Sequence, residues 1–496
     1  MPMIIPAPTR LTAGEGEFVL GDATRLHAPD EVAALLRELI GPATGLALAD
    51  GGRDGEDMIS LILVDDPELG AEGYRLSVTP GGVRAAAAAP AGLRWAVQTI
   101  RQLLPADVYA DGPVAGVEWR MPAVEILDVP RYAWRGCLLD VARWCHPVGF
   151  LHRFVDLLAM HKLNTLHLHL TDDQGWRFEV RRYPRLTEIG SVRAESSAGH
   201  AREKRFDGVP HGGFYTQGEL RDLVAYAAGR GVRVMPEVDL PGHTQAAIAA
   251  YPELGNDPSR GLPVRTSWGI SKHVLNVADG TVRFMRNVLD ELVDVFPFAY
   301  VHIGGDEVPP NEWAASPAAG KRAADLGLER VGDLVGWWAG QLADHLAEHG
   351  RRAAVWDELL EHGAPAGALV FAWRGEDRVR AALAAGHEVI AAPYTHTYLD
   401  WAESDRPDEP LAIAGTLPLD RVYGYRPGPA LGVQGQLWSE YLPRPELVEW
   451  RAFPRLAALA EVGWSPEPGR IAAFRSRLGE HLCRLGRLGV GYRPPD

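Results

Sequence analysis

From Trp134 onward the chain alternates, eight times over, between a short apolar run of strand character and a stretch with helical spacing. The strand-like runs fall at 135–141, 165–170, 232–239, 299–303, 352–356, 368–373, 388–392 and 432–437. Helical stretches at 150–160, 219–228, 283–295, 331–349 and 378–385 lie between most of them, and 445–462 follows the eighth. Short apolar runs bounded by turn signals suit strands buried on both faces, as in parallel sheets whose crossovers are helical. Eight such units over roughly 330 residues predict a (β/α)8 barrel. An open doubly wound sheet would bring a glycine-rich phosphate turn after its first strand. Here the first strand runs instead into Asp140-Val141-Ala142-Arg143-Trp144.

Barrels of this kind gather their functional groups where strands end and the following loops begin. The fourth strand leads into His302-Ile303-Gly304-Gly305-Asp306-Glu307. Taken alone, that motif is equally well a polar loop start. On a regular strand the two carboxylates would face opposite ways, but a glycine-softened strand end can turn both into one pocket. The other ends decide between these readings. Arg143 follows the first strand, Asp172-Asp173 the second, and Asp239 with His243 the third. Trp356-Asp357-Glu358 follows the fifth, Trp373 the sixth, Tyr398-Leu399-Asp400 the seventh and Trp438-Ser439-Glu440 the eighth. Scattered charges would not respect strand polarity at all eight ends, so a single site is expected.

Many carboxylates, one Arg and flat aromatic faces suit a neutral, hydroxyl-rich ligand. Phosphate recognition calls for a glycine-rich nest or several cations, and neither is present. Sugar hydrolysis normally uses two carboxyl groups across the scissile bond. An adjacent pair fits better if one carboxyl is the acid and the other orients part of the substrate. The acid must hold its proton near neutral pH, which burial and a neighbouring negative charge both favour.

Composition narrows the alternatives. A net charge of −15, with no basic block, argues against nucleic-acid and anionic-membrane partners. Cys137, Cys145 and Cys483 form neither a disulfide framework nor a metal spacing. The N-terminus lacks the charged start and apolar core of a signal peptide, and no run approaches transmembrane length, so a leaderless soluble or cytoplasmic protein is expected. His167 and His169 form an HxH pair on the second strand, without further ligands at metal spacing, and are expected in the barrel core. No metal and no cofactor are expected. Asp357 and Glu358 read as ligands or as a capped turn. Two rivals stay open: a metal-dependent barrel hydrolase using the His pair, and a carbohydrate-binding barrel without turnover.

Residues 1–125 read as a small α/β accessory domain, and 126–496 as the barrel. Within the first, 58–64 is a strand, Pro80-Gly81-Gly82 punctuates a hairpin, and 91–104 has helical spacing stopped by Pro105. No polar cluster converges there. The stretch 190–215, rich in Gly, Ser and charge, is expected as a long loop on the top face.

Taken in order, several motifs resemble one family over nearly the whole length: Trp134-Arg135-Gly136, Leu139-Asp140-Val141-Ala142-Arg143, Leu166 through Asp172-Asp173 to Arg177, Pro236 to His243 with Thr244, His302 through Asp306-Glu307, Tyr398-Leu399-Asp400 and Leu437-Trp438-Ser439-Glu440. That family is glycoside hydrolase family 20, the β-N-acetylhexosaminidases. The resemblance implies exo-acting, retaining hydrolysis of terminal β-linked GlcNAc or GalNAc, in which the substrate's 2-acetamido oxygen attacks C1 and gives an oxazolinium. It implies Glu307 as general acid and then base, and Asp306 as the group orienting the acetamido N–H. Tyr398 would hold the acetamido oxygen, with Trp356, Trp373 and Trp438 walling the acetyl pocket. Arg143, Asp400 and Glu440 would bind ring hydroxyls, and Asp172 with His243 would tune Glu307. The implied partner is a chitooligosaccharide or glycan terminus.

Overall fold

In the computed structural model, which describes residues 2–53, 55–413 and 415–495, eight parallel strands close into a barrel. They are Trp134–Asp140, Thr165–His169, Arg233–Glu237, Tyr300–His302, Arg352–Trp356, Leu369–Ala372, Glu388–Ala391 and Gly432–Leu437, the last pairing back onto the first. All eight expected strands are present. Their two-residue period sorts the apolar side chains into two cores. Leu139, Leu168, Val234, Val301, Val355, Val370 and Val433 face outward against the helices. Trp134, Leu138, Met235, Ala354, Phe371 and Ile390 fill the interior. Strands apolar on both faces read as continuous hydrophobic runs, which is why they were legible.

Register adds what hydrophobicity does not show. Asp140 pairs with His169, His169 with Glu237, and Glu237 with His302, so four ionisable residues stand in one row across four neighbouring strands. That row lies directly beneath the barrel mouth.

The expected helix 445–462 is two helices, Pro445–Ala452 and Arg455–Trp464. Pro454 has no N–H to continue the helical ladder, so the chain turns there. A further helix, Ile471–Arg487, closes the chain. The stretch 190–215 is largely irregular, with a two-residue pairing of Val192–Arg193 against His211–Gly212, a single bridge between Ser197 and Phe206 and one 3-10 turn at Ala201–Glu203. Among the described residues no helix is long and apolar enough to cross a membrane.

The N-terminal unit is a six-stranded mixed sheet with the order Arg10–Val19, Arg120–Asp128, Tyr74–Thr79, Gly82–Ala87, Met58–Leu63, Arg25–His27. Helices Asp30–Thr44 and Pro90–Leu103 supply its other layer. Strand Arg120–Asp128 crosses the 125/126 boundary expected from the sequence, because Ile126, Leu127 and Asp128 go on pairing with Leu11, Arg10 and Tyr74.

Two buried polar knots join this sheet to the barrel. Glu72 takes both guanidinium nitrogens of the fully buried Arg135, each at 2.9 Å. Asp128 accepts from Lys162 Nζ at 2.6 Å, Tyr74 Oη at 2.7 Å and Trp464 Nε1 at 2.7 Å, with both partners of the ion pair inaccessible to water. Removing one member of such a pair strands the other charge in a dry site. Lys162→Met is therefore expected to cost about 3–5 kcal/mol of stability, measured as a drop in the urea midpoint. An unchanged midpoint would show that the domain junction does not depend on this pair.

Candidate active site

The strand ends enclose a cavity of about 500 Å³ at the C-terminal mouth of the barrel. All eleven residues expected at the site line it, from Arg143 after the first strand to Trp438 and Glu440 after the eighth. Asp239 lines it as well.

The fourth strand end explains its own sequence. Gly304 and Gly305 have φ of 68° and 97°, in the left-handed region that favours glycine. A Cβ on Gly304 would stand 1.6 Å from Asp239 Oδ1, and one on Gly305 2.0 Å from Leu359 Cδ2. At Gly304 the Asp239 backbone, 2.9 Å away at Cα, leaves no room for a side chain, and at Gly305 one would have to displace Leu359 at a strained φ. The turn then sends Asp306 deep, its side chain 13% exposed, and leaves Glu307 nearer the mouth at 34%. Glu307 and His243 are themselves non-glycine residues at positive φ, 48° and 52°. Backbone of that kind costs of order 1–3 kcal/mol and persists where the surroundings enforce it. The two strained residues meet: His243 Nε2 lies 3.5 Å from Glu307 Oε2 and 3.6 Å from Asp306 Oδ2.

Behind them runs a buried chain of alternating acid and imidazole. Glu237 Oε2 contacts His169 Nδ1 at 2.5 Å, and His169 Nε2 contacts Asp172 Oδ2 at 3.0 Å. Asp172 Oδ1 contacts His243 Nδ1 at 3.1 Å, and His243 reaches Glu307. Arg143 donates to Asp172 at 2.8 Å and to Asp140 at 3.2 Å. Burial alone pushes Asp172 up, yet Arg143, His243 and His169 hold it well below the usual carboxylate range. Burial works against charge on His169 and His243, but Glu237 and Asp172 raise the first to about 10, and Asp172 and Asp306 raise the second well above an ordinary imidazole. Glu237, His169, Asp172 and His243 therefore alternate in charge at neutral pH. His167, beside Glu237, is held neutral by burial, falling to about 4.

Asp306 and Asp239 are a crowded pair. Burial raises both, and Asp306 adds to the rise at Asp239, which stays protonated. Asp306 Oδ1 is buried and finds no hydrogen-bond partner among the described residues; the same holds for Asp400 Oδ1. Burial and the nearby Glu440 carboxylate hold Asp400 well above the usual range. An acceptor and a protonated acid thus face the cavity at different places.

The aromatic walls are aimed by carboxylates. Trp356 donates its indole N–H to Glu237 at 2.9 Å, and Trp373 donates to both oxygens of Glu358, at 3.0 and 3.2 Å. With their edges fixed, the ring faces turn to the cavity, where Trp373 stacks on Tyr398 at 6.0 Å between centroids. Trp438 lies 6.0 Å from Trp356 and under the Arg143 guanidinium at 5.2 Å. Asp357 is a fully buried clasp rather than a ligand, bonding the Trp373 backbone N–H at 3.1 Å and Arg374 Nε at 2.6 Å.

The burial expected for the acid is only partial, since Glu307 remains one-third exposed. Sequence reasoning also passed over Asp140, Glu237 and His302. Asp140 accepts from the backbone N–H groups of Ala142, Arg143 and Ser439, clamping the first and eighth strand ends together. Glu237 and His302 are the last residues of their strands, two positions before Asp239 and Gly304.

A catalytic-domain model of glycosyl hydrolase family 20 matches residues 132–467, and a model of the family's domain 2 matches residues 1–129. The chain belongs to glycosyl hydrolase family 20. A β-hexosaminidase of Porphyromonas gingivalis is 38% identical over 99% of this chain, which spans 64% of that relative's length. Among solved family 20 structures, the β-N-acetylhexosaminidase of Streptomyces coelicolor superposes with a TM-score of 0.86 at 32% identity, covering all of this chain and 99% of that one. The exo-β-N-acetylglucosaminidase of Vibrio harveyi, solved in complex with N-acetylglucosamine, superposes with a TM-score of 0.87 at 31% identity, covering all of this chain and 78% of that one. Family and fold agree with the expectation from the sequence: a family 20 barrel behind an N-terminal α/β domain.

Proposed function

We propose that this family 20 chain removes terminal, non-reducing β-linked GlcNAc or GalNAc with retention, using the substrate's acetamido group as nucleophile. The observation that carries this reading is the unequal depth of the adjacent carboxylates. Asp306 lies deep among Trp356, Trp373, Tyr398 and Trp438, with an unpartnered acceptor oxygen, while Glu307 stands at the mouth. Two carboxylates flanking one bond would serve a protein nucleophile. One deep and one shallow serve a substrate nucleophile.

In this reading Asp306 Oδ1 accepts the acetamido N–H, turns the carbonyl oxygen toward C1 and stabilises the positive charge that develops on the forming ring. Tyr398 donates its O–H to that oxygen, and the three indoles cover the acetyl methyl. Glu307 gives its proton to the leaving glycosidic oxygen and afterwards removes one from water attacking C1. Arg143, Asp400 and Glu440 bind ring hydroxyls, Asp400 as a donor. Asp172 fixes His243, which holds the Glu307 carboxyl in place. The substrate class is a small saccharide or glycan terminus with a 2-acetamido group.

Two inversions at C1 leave the configuration unchanged. Proton NMR of a fresh hydrolysis of aryl β-GlcNAc should show the β-anomer first and the α-anomer only as mutarotation proceeds. An initial α-anomer would overturn the proposal.

A further inference from the structure

Among the described residues, the groups of side chains able to hold a metal ion belong to the barrel mouth or the row beneath it, with one exception. Asp290, on helix Asp279–Val295, faces His345 and His349 at the end of helix Leu334–Glu348. The geometry points to a surface site for a divalent transition-metal ion, Zn²⁺ foremost, held by Asp290, His345 and His349 and distinct from the sugar pocket.

His345 Nε2 and His349 Nε2 converge on the same oxygen, Asp290 Oδ1, at 2.7 and 3.1 Å. Tetrahedral zinc with bonds of about 2.0–2.2 Å sets its ligand atoms roughly 3.3 Å apart, so a small spreading of the present contacts accommodates the ion. The four-residue spacing puts both imidazoles on one helix face. Two neutral imidazoles and one carboxylate suit zinc, copper or nickel better than calcium or magnesium. Behind the first ring, Glu348 Oε2 lies 3.6 Å from His345 Nδ1, and a small side-chain shift would bring it to the hydrogen bond that fixes the tautomer of a metal-bound imidazole. The site sits at the end of helix Leu334–Glu348 where unpaired carbonyls favour a cation. Arg286 Nη2 bonds both the carbonyl and the side-chain oxygen of Gln341, at 3.1 and 3.2 Å, keeping the two helices in register. The site is reachable, with Asp290 and His349 each 38% exposed.

Three residues after His349 the fifth barrel strand begins, so the cluster lies at the end of the barrel opposite the mouth. A bound ion would tie together the helices that precede the fourth and fifth strands, which deliver Asp306, Glu307 and Trp356. The consequence is stability rather than chemistry.

Chelator-stripped protein titrated with ZnCl₂ by calorimetry should take up one equivalent with about micromolar affinity. The melting temperature should rise by roughly 2–5 °C in excess zinc. His349→Ala and Asp290→Asn should each weaken uptake by at least about tenfold while hydrolysis of aryl β-GlcNAc, which reports correct folding, stays unchanged. Co²⁺ in place of zinc should give visible bands of a tetrahedral site that both variants lose. Absence of saturable uptake would overturn the assignment. So would one equivalent that survives both substitutions, including one displaced by GlcNAc, since that ion would lie at the barrel mouth.

Discussion

Glu307→Gln is expected to lower kcat/KM by about 10²–10⁴ on β-GlcNAc substrates with poor leaving groups. The amide keeps the shape and removes the proton. A departing alkoxide needs that proton, whereas a nitrophenolate leaves without it, so the loss should shrink as the leaving group becomes more acidic. kcat/KM reports events up to the first irreversible step, so it isolates the acid role of Glu307 from its later work on water. A series of aryl β-GlcNAc substrates should therefore show a much steeper dependence on leaving-group pKa in the variant than in the parent. His243, 3.5 Å from the carboxyl in the parent, should keep the substituted amide near the same place, so binding should change little. Parent-like kcat/KM on the poorest leaving group would remove Glu307 from the acid role.

Asp306→Asn should lower turnover by about 10²–10³, for a different reason. The variant loses the negative charge that faces the developing oxazolinium, and its NH₂ can point a donor where the substrate also offers one. This loss should be insensitive to the leaving group, which separates it from the Glu307 effect. Asp239, protonated beside Asp306, cannot substitute, because burial and its neighbour keep it neutral. If added azide accelerated Asp306→Asn and gave an inverted product, the residue would be a conventional base or nucleophile.

Much of this was open to reading in the chain. Eight strands buried on both faces announce themselves through residues such as Val355, Val370 and Val389, whose outward packing needs no partner but a helix. The strand ends announced the site, because residues from Arg143 to Glu440 recur at one phase of the repeat. The polar row beneath was hidden. His169, Glu237 and His302 come from separate strands, and only register sets them side by side. Glu358 was equally ambiguous, since a carboxylate that ligates substrate and one that holds a Trp373 indole look alike in sequence. The break at Pro454 was visible in principle, but the apolar periodicity runs through it. The depth difference between Asp306 and Glu307 depends on φ values that two glycines permit without dictating.

The central claim is that the substrate supplies the nucleophile, and it is tested by hydrolysis of aryl β-GlcNAc, β-GalNAc and β-glucoside side by side. The glucoside has a hydroxyl where the others carry the acetamido group. A site that hydrogen-bonds a substrate N–H rejects an analogue lacking it by roughly 10⁴–10⁵, and here the missing group is also the nucleophile. The expected result is kcat/KM for the glucoside lower than for β-GlcNAc by at least about 10⁴. Comparable kcat/KM on the glucoside would contradict the mechanism.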